Sequence, residues 1–530
     1  MPNIFKIIVA LSLSCTLFGQ ALLENPANLG NYETNEYTYA PNTNSPEDPM
    51  RTDIRQYFST PDQMVKEQMD SVPISGIGHI PAAQGSFPLV IIFHGNHTPL
   101  HPSHEGYGYL TKLLASHGMI AISIDGNFLN GRVSGEMDAR AILLLRHLQR
   151  FREWNRDPQH QLFQKIDMEK IGLAGHSRGG EAITVANLFN DTLHNEQDSD
   201  HNFQFKIKGL FAIAPVDGQI GKATKVIVNS CDYFVMHGSH DGDVYNFAGL
   251  RTYNRAFPID KDAQGFKSLL FIHGANHNYW NSVWEQYAND ASSQYGMSSP
   301  FLQITAEKQQ VLAKIFMSAF FQWNLLGKPH KDIFTQTTSF SPKDIVSIQQ
   351  YSDREHIDLN NYEEDEDSST GSFPGVGNSP RNMLEFEEKT SYQTRSAFVT
   401  WNSSDATYEI ELPKELEKSV DDYPYLSMRV GQVHEKEPKY NPTQQDLSLG
   451  LKLGKNVSEP IKVSNFTKLV APVPVFKYNY DISKTNMQTV RIPIKSFFKD
   501  KLPLQNIKIL IQFTNTPSGF VVIDDIQLSK

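Results

Sequence analysis

The chain has 530 residues, room for two to four domains at ~100–200 residues each, and its 48 Lys+Arg against 59 Asp+Glu leave a net charge of −11. Its apolar and charged content is that of a globular chain, not a disordered one. The acidic balance argues against a nucleic-acid binder and against adsorption to anionic lipid.

Lys6 precedes a short apolar run, 7–18, and then Gly19-Gln20-Ala21. A charged start, an apolar stretch and a small-x-small site predict a signal peptide removed after residue 21, hence a secreted or periplasmic protein. The run is too short for a membrane span. Lipid attachment at Cys15 is the weaker alternative, because Ser12-Leu13-Ser14 suits that signal poorly. Cleavage would leave Cys231 as the one cysteine, so no intrachain disulfide can form and the core must hold the chain together. Residues 22–75 are polar and rich in Asn, Thr and Pro; they read as a lead-in with little core of its own.

From 76 to 330 the pattern becomes α/β. Nearly continuous apolar runs recur at 89–93, 119–122, 171–174, 210–213, 234–236 and 269–272. Strands apolar at every position are covered on both faces, as in a parallel sheet. Helical patterns at 109–116, 137–151 and 309–326 alternate with them, which predicts a doubly wound fold. Three runs end in His-Gly, at 94–95, 237–238 and 273–274, and are expected to turn at the strand ends where open α/β sheets bind ligands. Residues 331–380 read as a linker or solvated loop. The stretch 351–367 alone carries eight acids and one Arg, and a Ser/Gly/Pro-rich segment follows. Residues 381–530 alternate apolar and polar in short runs without helical pattern, which predicts an all-β sandwich.

Gly175-His176-Ser177-Arg178-Gly179 follows an apolar strand and opens a helical stretch. This is G-x-S-x-G in the strand–turn–helix context that lifts a serine hydroxyl above a sheet. A serine hydroxyl is a weak nucleophile at neutral pH and needs a base held by an acid, in the chain order Ser, Asp, His. Asp241, three residues after Gly238, is the favoured acid; Asp243 is the runner-up and Asp217 a distant third. His277, in Gly274-Ala275-Asn276-His277, is the favoured base, whereas His273 reads as a buried histidine at a strand end. The oxyanion would be met by the backbone N–H of Arg178 and that of Asn96, in the loop after the first strand. His97, His176, Tyr107 and Trp280 are candidates for a pocket wall, and Tyr109 and Tyr279 lie close in sequence to the same loops. Aromatic residues of this kind are as often core. Loops 126–135 and 244–266 would set the pocket's size. His94, His97, His101 and His104 also invite a metal reading, but Pro99 and Pro102 prevent a shared helix face, and no metal is assigned.

On these motifs residues 80–327 resemble the α/β-hydrolase superfamily. The stretch from Phe87-Pro88-Leu89-Val90-Ile91-Ile92-Phe93-His94-Gly95-Asn96-His97 to Asp125 looks like the secreted esterase branch that holds chlorophyllase-like and platelet-activating-factor acetylhydrolase-like enzymes. The resemblance implies Ser177 as nucleophile, Asp241 as acid, His277 as base and no cofactor. Gly180 extends the elbow to a form also met in oligopeptidase-type members, but about 60 residues are too few for their N-terminal propeller. The final run, Phe520 to Leu528, is similar to the last strand of jelly-roll carbohydrate-binding modules. Such modules often hold a structural calcium, for which Asp524 or Asp525 would be candidates; an Asp pair solvating a strand end is the preferred alternative. The leading expectation is thus a secreted serine carboxylic-ester hydrolase. Its rivals are a polysaccharide-directed esterase guided by the C-terminal module, an amidase or peptidase, and a catalytically silent glycan-binding surface protein. The expected partner is a small-molecule or polysaccharide ester.

Overall fold

The computed structural model describes residues 24–60, 62–221, 225–257, 265–286, 296–299, 303–335, 342–364, 367–383, 385–435, 445–498 and 504–530. The expected signal peptide, 1–21, lies outside the described residues. No helix among them is long and apolar enough to cross a membrane.

Nine strands form the larger sheet: β1 (Thr34–Tyr39), β2 (Gly76–Pro81), β3 (Phe87–Phe93), β4 (Ile120–Ile124), β5 (Ile166–His176), β6 (Ile207–Ile213), β7 (Asp232–His240), β8 (Phe266–Asn276) and β9 (Ser347–Asp353). Their order is β1-β2-β4-β3-β5-β6-β7-β8-β9. The six central strands, read from their apolar runs, are parallel. β1 and β2 run antiparallel at one edge and β9 at the other. Side chains alternate between two buried layers: Leu89, Ile91 and Phe93 enter one core, Val90 and Ile92 the other. Helices α1 (Gly108–Ser116), α2 (Met137–Arg156), α3 (Arg178–Thr192), α4 (Ala248–Arg255), α5 (Ser282–Gln286) and α6 (Ala306–Leu326) accompany the sheet. The first core draws on α2, α3 and α4, the second on α1 and α6. α6 begins one turn earlier than its apolar pattern suggests, because the Thr305 side chain accepts the Lys308 N–H; Gly327 ends it in the left-handed region.

Of the three His-Gly pairs, only His94-Gly95 follows the end of its strand. The other two lie inside β7 and β8, which stay paired as far as His240 opposite Asn276. The lead-in is likewise part of the α/β unit. Residues 34–39 pair with β2, and Tyr37, Ile54, Tyr57, Phe58, Met69 and Val72 enter the first core. Residues 331–380 also depart from the expected linker. Residues 347–353 are the edge strand β9, and Tyr351, Asp353, Leu359 and Tyr362 are buried. The acids are tolerated there because cations meet them: Lys331 Nζ sits 2.7 Å and an Arg491 nitrogen 3.7 Å from Asp353.

The C-terminal region holds β10 (His356–Asn360), β11 (Gly377–Arg381), β12 (Glu385–Ser391), β13 (Thr394–Trp401), β14 (Thr407–Glu411), β15 (Tyr425–Gln432), β16 (Ser448–Leu453), β17 (Gln488–Pro493), β18 (Ile507–Gln512) and β19 (Gly519–Ser529). One antiparallel sheet runs β12-β13-β19-β15-β17, with β10 also on β19; the other runs β11-β14-β18-β16. Both contribute to one apolar core, including Val399, Ile410, Met428, Leu449, Val490, Ile509 and Ile523. Alternation sends Leu426, Met428 and Val430 of β15 into that core and turns Arg429 the other way, toward the α/β unit. Arg429 reaches Asn254 at 2.8 Å and Gln350 at 3.0 Å, while binding Asp524 at 2.5 Å and Asp525 at 2.8 Å. The calcium alternative does not fit this pair, because the guanidinium fills the cation position, and the preferred reading fails for Asp524, which is buried and not solvating a strand end. β9 and β17 are joined by the Tyr351 N–H, which donates to Thr489 Oγ1 at 2.8 Å.

Candidate active site

β5 delivers Ser177 at the sheet's carboxyl edge, and α3 starts at the next residue. Ser177 has φ 56° and ψ −121°, a region side-chain-bearing residues rarely adopt. The turn is held by the Ser177 N–H, which donates to the Ile213 carbonyl at 2.8 Å, and by the Gly180 N–H, which donates to the Ser177 carbonyl at 2.9 Å. The tight crossing explains the second glycine of the motif: a Cβ on Gly179 would lie 2.1 Å from the Phe93 carbonyl oxygen. The N-terminus of α3 points its partial positive charge at this turn.

Gly95 faces the serine closely enough that a Cβ on it would lie 2.5 Å from Ser177 Cβ and 3.1 Å from Oγ. The loop that carries Asn96 therefore runs beside the nucleophile. His94 fixes that loop: Nδ1–H donates to the Gly95 carbonyl at 2.7 Å, and Nε2 accepts the Gly126 N–H at 2.9 Å. Burial keeps its pKa well below the usual histidine value. With both ring nitrogens engaged, His94 is structural. His104 turns to Asp125 and Asn127, and His97 and His101 pair with each other at 3.2 Å. Among the described residues no three histidine, cysteine or acidic side chains group to hold a metal.

Asp241 and His277 are joined by a hydrogen bond from Nδ1 to Oδ2 of 2.9 Å, both side chains buried. The other oxygen of Asp241 accepts the N–H groups of Asp243 at 3.1 Å and Val244 at 2.7 Å. Burial lowers the imidazole pKa, but the charge of Asp241, its hydrogen bond and then Asp243 outweigh it and raise His277 to about 9. Burial acts to raise Asp241, yet the His277 charge and hydrogen bond hold it below the usual carboxylate range. His277 Nε2 is buried without a hydrogen bond, with Asp243 Oδ2 3.5 Å away. The ring packs 4.8 Å, centroid to centroid, from that of His176, the residue before the serine. Of the three candidate acids, then, Asp241 holds the imidazole. Asp243 approaches its far side from solvent, and Asp217 is tied to Arg251 at 2.9 Å and Arg255 at 2.5 Å.

The cleft is a polar cavity of about 240 Å³ lined by Asn96, Ser177, Arg178, Asp243 and Val244, with Asp217, Gln219 and Arg251 on its far side. The Arg178 side chain turns away and pairs with Glu136 at 2.5 Å, so its backbone is what the site can use. The expected pocket wall is largely corrected. Tyr107, His176 and Trp280 are buried beneath the site, where Tyr107 Oη and His176 Nδ1 share a hydrogen bond of 2.9 Å. His97 stacks on Trp284 at 4.9 Å, and neither lines the cavity. Closeness in sequence to the motifs does not make these side chains wall; much of the wall comes from the loops after β6 and β7. The region 244–266 does contribute, through Val244, Asn246, Ala248 and Arg251. A further neighbour is the C-terminal hairpin of Phe476–Lys477 and Tyr480–Asp481, whose Lys477 Nζ donates to the Gly242 carbonyl at 2.8 Å. Its one sequence signal is the Tyr-Asn pair at 478–479 between polar–aromatic alternations, a turn signature.

A strained serine between a parallel strand and a helix, with a buried Asp–His pair at the same sheet edge, is an arrangement suited to nucleophilic acyl transfer. The chlorophyllase family model matches residues 53–229, a third of the chain that contains Asn96, Ser177 and Arg178 but ends before Asp241 and His277. That family is of the α/β-hydrolase type, and the mixed, mostly parallel sheet is consistent with it. A comparison with curated proteins finds no match.

Proposed function

We propose that the protein is an exported serine hydrolase that cleaves carboxylic esters. Ser177 Oγ attacks the ester carbonyl as His277 Nε2 takes its proton; Asp241 holds the ring with Nδ1–H toward it and stabilises the imidazolium. The oxyanion is met by the backbone N–H groups of Arg178 and Asn96. His277 then gives its proton to the departing alcohol, leaving an acyl-Ser177. Water, deprotonated by His277, releases the acid and restores the serine. The observation that carries this reading is the 2.9 Å Asp241–His277 hydrogen bond at the sheet edge where Ser177 takes its strained conformation. The test is labelling by a fluorophosphonate and hydrolysis of p-nitrophenyl acetate. Wild type labels and turns over, and Ser177→Ala does neither. Retention of most activity by the variant would overturn the assignment.

A further inference from the structure

The rim of the cleft carries an unusual surface. Tyr245 is 45 % exposed, between Val244 and Asn246, which line the cavity. Lys477 of the C-terminal hairpin lies 4.2 Å above the Tyr245 ring while its ammonium holds the Gly242 carbonyl. Lys477 pairs across the hairpin with Tyr480, so the two side chains leave the same face; Tyr480 is 76 % exposed and Tyr478, at the turn, 66 %. Large exposed aromatic side chains beside one another mark recognition sites.

The hairpin is pinned, so its tyrosines are presented and not loose. The Tyr478 N–H donates to the Gly296 carbonyl at 3.0 Å, residues 476–477 pair with Met297–Ser298, and His434 Nε2 meets Asp481 at 2.8 Å. A fixed platform binds without the entropy of ordering it. The neighbouring cavity is smaller than the ~300–1,000 Å³ of pockets that enclose drug-sized ligands, and its lining is polar. That suits a short acyl group, with the rest of the substrate leaving over the rim.

Resting on the ester-hydrolase reading above, we infer that this rim is a sugar subsite and that the substrate is an acylated polysaccharide. A pyranose ring has an apolar C–H face that stacks on tyrosine and a hydroxylated edge that hydrogen-bonds to polar neighbours. Tyr245 and Tyr480, with the Lys477 ammonium over the Tyr245 ring and Asp243 and Asn246 of the cavity wall beside it, offer both. A long acyl chain or a fused aromatic ring would call for a continuous apolar groove, which this polar cleft does not provide. The C-terminal domain thus builds part of the substrate site.

The test uses the full-length protein on p-nitrophenyl acetate, too short to reach the hairpin, and on acetylated xylan and acetylated glucomannan. Wild type is expected to cleave at least one polymer. Tyr480→Ala and Tyr245→Ala should lower the polymer-to-small-ester ratio of kcat/KM about tenfold, mostly through KM, as loss of an aromatic contact implies. Tyr480→Trp should restore it. An unchanged ratio in both alanine variants, or a wild type that cleaves the small ester but neither polymer, overturns the inference. Failure on the small ester as well overturns the ester-hydrolase reading itself.

Discussion

The two sides of the cleft differ in origin. The nucleophile side, from β3 to α3, lies within residues 53–229, which match a known family, and its parts are fixed by backbone geometry: a strained serine, a glycine crossing and a neutral His94 clamping the adjoining loop. The opposite side takes Asp217 and Gln219 from within the match, but its Asp241–His277 pair, the wall at 243–251 and the hairpin contributed by the C-terminal domain all lie outside it. The difference teaches where constraint falls. Chemistry common to many substrates needs the elbow, whereas the far wall needs only to hold Asp241 and His277 and is otherwise open to change.

The harshest way to break this division is to remove the nucleophile. Ser177→Ala should lower kcat for p-nitrophenyl acetate by ~10⁴–10⁶, as loss of a serine nucleophile does elsewhere. Asp241→Asn should cost ~10³–10⁴ by losing the tautomer and the charge that hold the imidazole. Asp217→Asn, tied to arginines and not to His277, should cost far less. If Asp217→Asn proved as damaging as Asp241→Asn in the same assay, the choice of acid would be wrong.

Stability tests whether the two sides belong to one body. Arg429 joins two aspartates of β19 to Asn254 and Gln350 of the α/β unit. Arg429→Ala strands a buried Asp524 and should cost ~3–5 kcal/mol in a urea titration. A change under ~1 kcal/mol, the size of an exposed pair, would show that this junction contributes little.

The same contrast marks what could be read from sequence. The six parallel strands were legible because burial on both faces leaves continuous apolar runs, and the elbow because its dihedrals demand a particular pentapeptide. Residues 34–39 were not, because that edge strand turns most of its polar side chains outward, and 347–353 were not, because its Gln349, Gln350, Ser352 and Asp353 are polar yet buried. The cations that let Asp353 be buried, Lys331 and Arg491, come from elsewhere in the fold. Tyr107 and Trp280 illustrate the reverse error: nearness in sequence to a catalytic loop does not say which side of the sheet an aromatic ring enters.

The smallest expected effect sharpens the comparison most. On the nucleophile side, burial holds both His94 and His176 well below the usual histidine value. On the far side His277 is raised to about 9 by Asp241 and, to a lesser degree, by Asp243. A general base must be unprotonated, so kcat/KM for a small ester should climb with pH and level off near that value. Asp243→Asn removes one negative charge 3.5 Å from Nε2 while leaving the Asp241 hydrogen bond intact. Losing a nearby anion destabilises imidazolium, so the climb should move to lower pH, and the variant should be faster than wild type near pH 7 with little change on the plateau. A pH–kcat/KM profile that stays in place, or moves upward, would mean that Asp243 does not act on the imidazole.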